Sequence, residues 1–289
     1  MFRVLSLLFL GLALLAGCQE HAKKESNIMT QNVSIKIGEQ GAAFVKRYPD
    51  LVKVQHQPAG LDFYEIHWKQ SVPGTVIIDH GKHTFTIEDV LGVLSDQDRG
   101  EFANEGLAEF DVSSGITAPD LIAHDEARQK MHVMLQRILQ AGWKMFIDRG
   151  DPRLRGKDAL DYVLTTSHYS TLDASYIPTF EEWMRIESRT TWYFYADHVY
   201  LSVNFTREHT LTDPTKPGSY LVSFNLKSEN EFYRGYVGGE NRKNWKTLLP
   251  AELAKLAPVR AEIEAKLRAQ GIKIDETYQD PPLPDLGGK

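Results

Sequence analysis

The 289-residue chain is 42% hydrophobic and 25% charged, which excludes an intrinsically disordered polymer and leaves ample chain for a buried core. Its net charge of −6 argues against a protein that wraps phosphates, so nucleic acid is not an expected partner. A single cysteine, Cys18, excludes an internal disulfide framework and any cysteine-based zinc site.

Residues 1–17 read as a removable leader. Arg3 precedes an apolar run from Val4 to Ala13, shorter than the ~20 residues a spanning helix needs and suited to a secretory signal. The run closes on Leu15-Ala16-Gly17-Cys18, which resembles the lipobox of bacterial lipoproteins. That resemblance implies cleavage before Cys18, lipid on its sulfur, acylation of the new amino terminus and attachment to the membrane through the lipid. Gln19, standing where an inner-membrane retention signal has aspartate, implies the outer membrane, with the body in the periplasm or flipped outward. Residues 18–32 are polar and read as a tether reaching at most ~45 Å. The mature chain would have 272 residues and a charge of −7, since Arg3 leaves with the leader.

The body reads as an N-terminal half, 33–148, and a C-terminal half, 149–275, followed by a Pro-rich tail, 276–289. In the first half, Glu39 to Tyr48 suggests a short helix stopped by Pro49, and Leu61 to Trp68 a strand. Thr75–Asp79 and Lys82–Ile87 suggest a hairpin turning at Gly81. Thr117-Ala118-Pro119-Asp120 resembles a capping box opening a long helix. Ala127, Met131, Met134, Ile138 and Ala141 recur along it at helical spacing, and Gly142 suits its left-handed cap. Trp143 to Ile147 would form a strand, and the charged, breaker-rich stretch 148–158 would divide the halves.

In the second half, Thr179 to Glu182 is a capping box, with Phe180, Trp183 and Met184 on one side of a short helix. A hairpin is expected from Trp192–Tyr195 and Val199–Phe205 around Ala196-Asp197-His198. Val199, Leu201, Val203 and Phe205 would share one face, with Tyr200, Ser202 and Asn204 on the other. Tyr220, Val222, Phe224 and Leu226 mark a further strand. A helix from about Glu240 carries Leu253, Leu256, Ile263 and Leu267; Pro258 should kink or divide it, and Gly271 should end it. The tail should be disordered from Pro281. Together these predict an α+β fold of antiparallel hairpins packed with helices, its two halves similar in pattern.

Catalytic signatures are missing: there is no Gly-x-Ser-x-Gly elbow, HExxH, P-loop or GxGxxG. Val112-Ser113-Ser114-Gly115 lacks the first glycine of an elbow, and Gly235-Tyr236-Val237-Gly238-Gly239 reads as a loop entering the next helix. His80 and His83, beside Asp79 on a tight turn, are the most metal-like pair. Lys82 opposes a cation there and no third ligand is identifiable, so no metal or cofactor is assigned. His124-Asp125-Glu126 suits the dipole at a helix start. Asp96-Gln97-Asp98-Arg99-Gly100-Glu101 has a calcium-loop flavour, but Gly100 occupies a ligand position. With Glu105 and Glu109, the segment reads either as a solvated face or as an acidic patch (Asp96, Asp98, Glu101, Glu105, Glu109) that steers a basic partner. The run Trp192-Tyr193-Phe194-Tyr195 could stack on sugar rings or serve as sheet and core. No pair of hydrolase-like carboxylates can be singled out.

These features favour a non-enzymatic envelope lipoprotein that binds a protein partner. The lipobox, the tether and the α+β body resemble the immunity lipoproteins that neutralise type VI secretion effectors, lipases in particular; that likeness implies a secreted toxin as partner. Two other roles stay open: an envelope hydrolase or carbohydrate-binding protein using His80, His83, Asp79 and the Tyr/Trp strands, and a structural lipoprotein of envelope assembly.

Overall fold

Runs rich in β-branched and aromatic residues alternate with polar ones and build most of the strands. A computed structural model describes residues 32–166 and 170–287. The leader, Leu15, Ala16, Gly17, the lipidation residue Cys18 and the tether up to residue 31 lie outside the described residues. The fold is α+β, a ten-stranded, mainly antiparallel sheet with helices on its faces. In chain order the first elements are β1 (Asn32–Ile35), α1 (Gly41–Arg47), β2 (Lys53–His56), β3 (Leu61–His67) and β4 (Gly74–Ile78). There follow β5 (Phe85–Asp98), β6 (Glu109–Gly115), β7 (Ile122–Ala123), α2 (His124–Gln140) and β8 (Lys144–Met145). The remainder comprises α3 (Gly156–Thr165), α4 (Phe180–Arg185), β9 (Thr191–Ala196), β10 (Val199–Arg207), β11 (Pro217–Gly218), β12 (Tyr220–Ser228), α5 (Glu229–Val237) and α6 (Trp245–Ala269).

The sheet runs β1-β4-β5-β6-β12-β10-β9-β8, with β2 and β3 branching from β5. Long β5 makes the branch: a register shift between Val90 and Gly92 lets its first part pair with β4 and its second with β3. Among the described residues, only β1 and β4 pair in parallel. Tyr48 and Arg47 at the end of α1 reach the main chain of β1, where the Ser34 N–H donates to the Tyr48 hydroxyl at 2.7 Å and Arg47 donates to the Ser34 carbonyl at 2.9 Å. Strands from either side of the charged stretch 148–158 meet as β6 and β12.

One sheet face carries the main core, formed by residues such as Phe110, Val112, Val203, Phe205 and Val222 against Met131, Leu135 and Ile138 of α2 and Trp183 of α4. The other face is covered around Tyr200, where Phe146, Tyr233, Trp245 and Leu249 form a second cluster. Phe232 of α5 stacks on Tyr200 at 3.7 Å. Burial of these apolar faces supplies the main driving force.

Local chemistry sets several elements as expected. Gly81 has the expected positive φ between β4 and β5, but the link is longer than a tight turn: Gly81–His83 form a 3-10 turn and strand resumes at Phe85 instead of Lys82. Asp197 and His198, both with positive φ, form the two-residue turn between β9 and β10. Thr179 and Glu182 make the reciprocal capping box of α4. Gly142 has a φ of 86°, and a Cβ there would lie 2.8 Å from His83 Nδ1, so both conformation and close approach require glycine.

Other expectations are corrected. The Thr117 segment does not cap α2; the chain first forms β7 against β11, and α2 starts at His124 with no side-chain cap. Only Lys144 and Met145 of 143–147 form strand. Phe180, Trp183 and Met184 lie on one side of α4 at helical spacing, but only Trp183 is fully buried and Phe180 is left exposed at the helix start. Gly235 to Val237 belong to α5 instead of a loop. Pro258 does not divide α6, which runs unbroken through Pro250 and Pro258. Both prolines are exposed, as are Lys246 and Ala254, whose carbonyls lose their usual helical donors, so water is at hand to replace them. Residues 281–287 of the tail pack on the body: Pro284 is buried, and the Pro281 carbonyl accepts from Arg149 at 2.7 Å.

Pro258→Ala is expected to raise stability by about 2 kcal/mol, because the regained helical hydrogen bond outweighs the added freedom of the unfolded chain. Urea denaturation should show a higher midpoint at an unchanged slope.

Candidate functional site

The sheet face away from the main core is polar because strand alternation places every second residue there. The antiparallel registers align these residues in rows. One row runs Asp96, Glu109, Lys227, Tyr200 and Tyr195, and the next runs Leu94, Asp111, Asn225, Ser202 and Tyr193. Above the rows, α5 and the segment 146–151 enclose a cleft of about 620 Å³. Tyr193, Phe232 and Tyr236 supply aromatic walls, while Asp148, Asp151 and Asn225 supply polar groups.

The cleft is held from several directions. The Tyr236 hydroxyl donates to the Asp148 carboxylate, and Asp148 also accepts from the Gly150 N–H at 3.0 Å. Burial, then the charge on Asp148, holds the Tyr236 hydroxyl protonated well above the usual tyrosine range. Arg260 of α6 donates to the main-chain carbonyls of Asp148 and Asp151 at 2.7 and 2.9 Å, fixing the loop that carries both acids. Burial, reinforced by Asp148, pushes the Asp151 carboxyl up to about 6.

No known protein family, curated protein or solved structure matches this chain.

A second cavity of about 480 Å³ shares Glu231 and Arg242 with the first and holds much of the predicted acidic patch. Its acids are largely engaged. Arg234, only 1% exposed, lies 3.7 Å from the Phe102 ring centre and donates to Glu105 and, at 2.7 Å, to Glu231. Arg242 grips Glu231 with two bonds of 2.9 and 2.7 Å. Burial pulls the Glu231 carboxyl upward, but Arg242 and Arg234 override it and hold it below the ordinary range. Glu109 meets Lys227 at 3.1 Å and Asn225 at 2.5 Å, and Glu101 meets Lys243 at 3.0 Å. Asp98 lies at the end of β5, where its carboxylate accepts from the Gly100 N–H at 2.5 Å. Asp96 is pushed up to about 6 by burial, with Glu109 and Glu231 adding to it. The segment is thus strand followed by a short turn, not a calcium-type loop.

His80 and His83 do come together, with ring centres 5.9 Å apart. Their nitrogens tie turns to one another: His80 Nε2 meets the Ala196 carbonyl at 2.9 Å, and His83 Nδ1 meets the Ala141 carbonyl at 2.9 Å. Since a carbonyl only accepts, those nitrogens carry hydrogen. Trp143 packs beside His80 and donates to the His83 carbonyl at 2.8 Å. Among the described residues, no group of three or more His, Cys, Asp or Glu is arranged to hold a metal. His124 is buried against Tyr220, whose hydroxyl accepts from Trp183 and Arg207 and so gives its own proton to His124 Nδ1 at 2.5 Å. Burial, then Arg207, lowers the His124 pKa, in keeping with that neutral ring.

Of the sugar-stacking run, Trp192 and Phe194 are core, and Tyr193 reaches the cleft. Asp148, Asp151 and Tyr236 escaped sequence reasoning. The signal available for the two acids was their place in the breaker-rich stretch.

An acid whose folded pKa is raised contributes stability below its unfolded value, near 4, that is lost as pH rises through about 6. Asp151→Asn is therefore expected to stabilise the protein at pH 8 by about 1–2 kcal/mol, after discounting for partial exposure, and to give no gain at pH 4. Paired urea titrations at the two pH values check this.

Proposed function

We propose that this is a lipid-anchored, non-enzymatic protein of the bacterial envelope, held at the outer membrane on its periplasmic side, that acts by binding a protein partner. The role that fits best is an immunity protein neutralising a type VI secretion effector such as a lipase. The observation that carries the reading is Leu15-Ala16-Gly17-Cys18, because the only thiol in the chain stands where a lipobox requires it. Each buried acyl methylene contributes ~0.8 kcal/mol, so a multiply acylated terminus would stay on the membrane.

The body suits a binding role in physical terms. A plug for another protein needs a rigid, complementary surface and no reacting groups. The buried guanidinium of Arg234 and its carboxylates stiffen the face bearing Asp96, Glu105 and Glu109. The net charge of −6 favours encounter with a basic partner.

Two measurements test this. Cells given a clickable palmitate analogue should label the protein, and Cys18→Ser should abolish the label and release the protein from the membrane fraction. A strain deleted for the protein should be killed by siblings that carry the toxin encoded beside it, and the two proteins should co-purify. Survival of that strain sinks the immunity role.

A further inference from the structure

The 620 Å³ cleft between the sheet and α5 is independent of the anchor and of the partner reading, and its chemistry narrows what can enter it. Its volume lies in the range of small-ligand sites. Its aromatic walls come from separate elements, Tyr193 from β9 and both Phe232 and Tyr236 from α5. They are braced in place: Phe232 lies flat on Tyr200 with an interplanar angle of 7°, and Tyr236 is bonded to Asp148. A ligand therefore meets preset rings, with little ordering cost.

The charges lining the cleft are mixed, with Asp148, Asp151 and Glu231 opposed by Lys227 and Arg242. A polyanion would face the aspartates and a polycation would face Lys227 and Arg242, so neither matches the whole length. The matching ligand has apolar ring faces for Tyr193 and Tyr236 and, along its edges, groups that both donate and accept hydrogen bonds. Hydroxyls meet the second requirement, since they can donate to Asp151 and accept from Lys227. We propose that this cleft binds a neutral oligosaccharide, its pyranose rings lying against Tyr193 and Tyr236 and its hydroxyls paired with Asp151 and the polar sheet residues Ser202 and Asn225. Burial pushes the Asp151 carboxyl up to about 6, so its pairing with ligand hydroxyls should strengthen as pH rises through that value.

The test is isothermal titration of the full-length chain, in a detergent without a sugar headgroup, with tetramers of glucose and of N-acetylglucosamine. At least one should bind with a Kd of about 10 μM to 1 mM. Tyr236→Ala and Asp151→Asn should each weaken binding by about tenfold or more. Ser202→Phe, which fills the cleft from its floor while leaving Tyr236 and Asp148 in place, should abolish it. Val133→Ala, on the exposed side of α2, should leave it unchanged. Circular dichroism of each variant confirms folding, and Ser202→Phe and Asp151→Asn keep the test decisive if Tyr236→Ala unfolds. The proposal is overturned if neither tetramer binds at about 10 mM, which is far weaker than specific recognition. It is equally overturned if Ser202→Phe and Asp151→Asn leave affinity untouched, or if a cationic glucosamine tetramer binds better than both neutral ones.

Discussion

The pairing of β6 with β12 is the constraint on which the rest of the molecule depends. Seven residue pairs, from Leu221 opposite Gly115 to Lys227 opposite Glu109, join strands that are more than a hundred residues apart in sequence. A slip of one residue would turn Glu109 and Asp111 into the core and Phe110 and Val112 out to the polar face. The same register aligns Asn225 with Asp111 and, through β10, brings Ser202 and Tyr193 into one row. The cleft floor is therefore a by-product of hydrophobic alternation. No cleft residue needs a special backbone conformation to reach it.

The two faces of the sheet solve different problems. The main core is apolar and takes α2 and α4. The opposite face mixes aromatic burial with charge, and Arg234 is its centre. A guanidinium with 1% exposure is tolerable only because two carboxylates and the Phe102 ring surround it. This also explains why acids that look free in the sequence are spoken for: Glu105 and Glu231 are internal counter-charges. Asp96 lies beside them, and burial, with Glu109 and Glu231 adding to it, outweighs the lowering effect of Arg242, so it rises to about 6.

What could be read from the sequence was whatever local chemistry decides. The Gly81 turn, the capping box at Thr179 and Glu182, the Asp197-His198 turn and the alternation along β10 and β12 all fit this description. What could not be read was decided from afar. Thr117 offers a cap, but Ile122 and Ala123 are taken by β11, so the helix begins later. The aromatic run of α5 carries Gly235 and looks like a loop, yet Phe232 and Tyr233 find a partner in Tyr200 and make it helical. Proline in α6 is tolerated because its solvent face can give the orphaned carbonyls to water. In the cleft, Tyr193 was legible as an aromatic on a strand. Asp148 and Asp151 were not, because Arg260, a hundred residues away, is what holds their loop against the sheet.

The bonds from α1 to Ser34 have a consequence for how copies of this molecule meet. β1 ends the sheet, and its outward N–H and carbonyl at Ser34 are already taken by Tyr48 and Arg47. At the opposite end β8 is two residues long, and the branch ends in the four residues of β2. Among the described residues, the ten-stranded sheet thus terminates in stubs and one side-chain-capped border, leaving a neighbouring chain almost no row of free backbone groups to extend. Along these borders a second copy of the sheet would meet side chains and chain stubs before any continuous run of backbone.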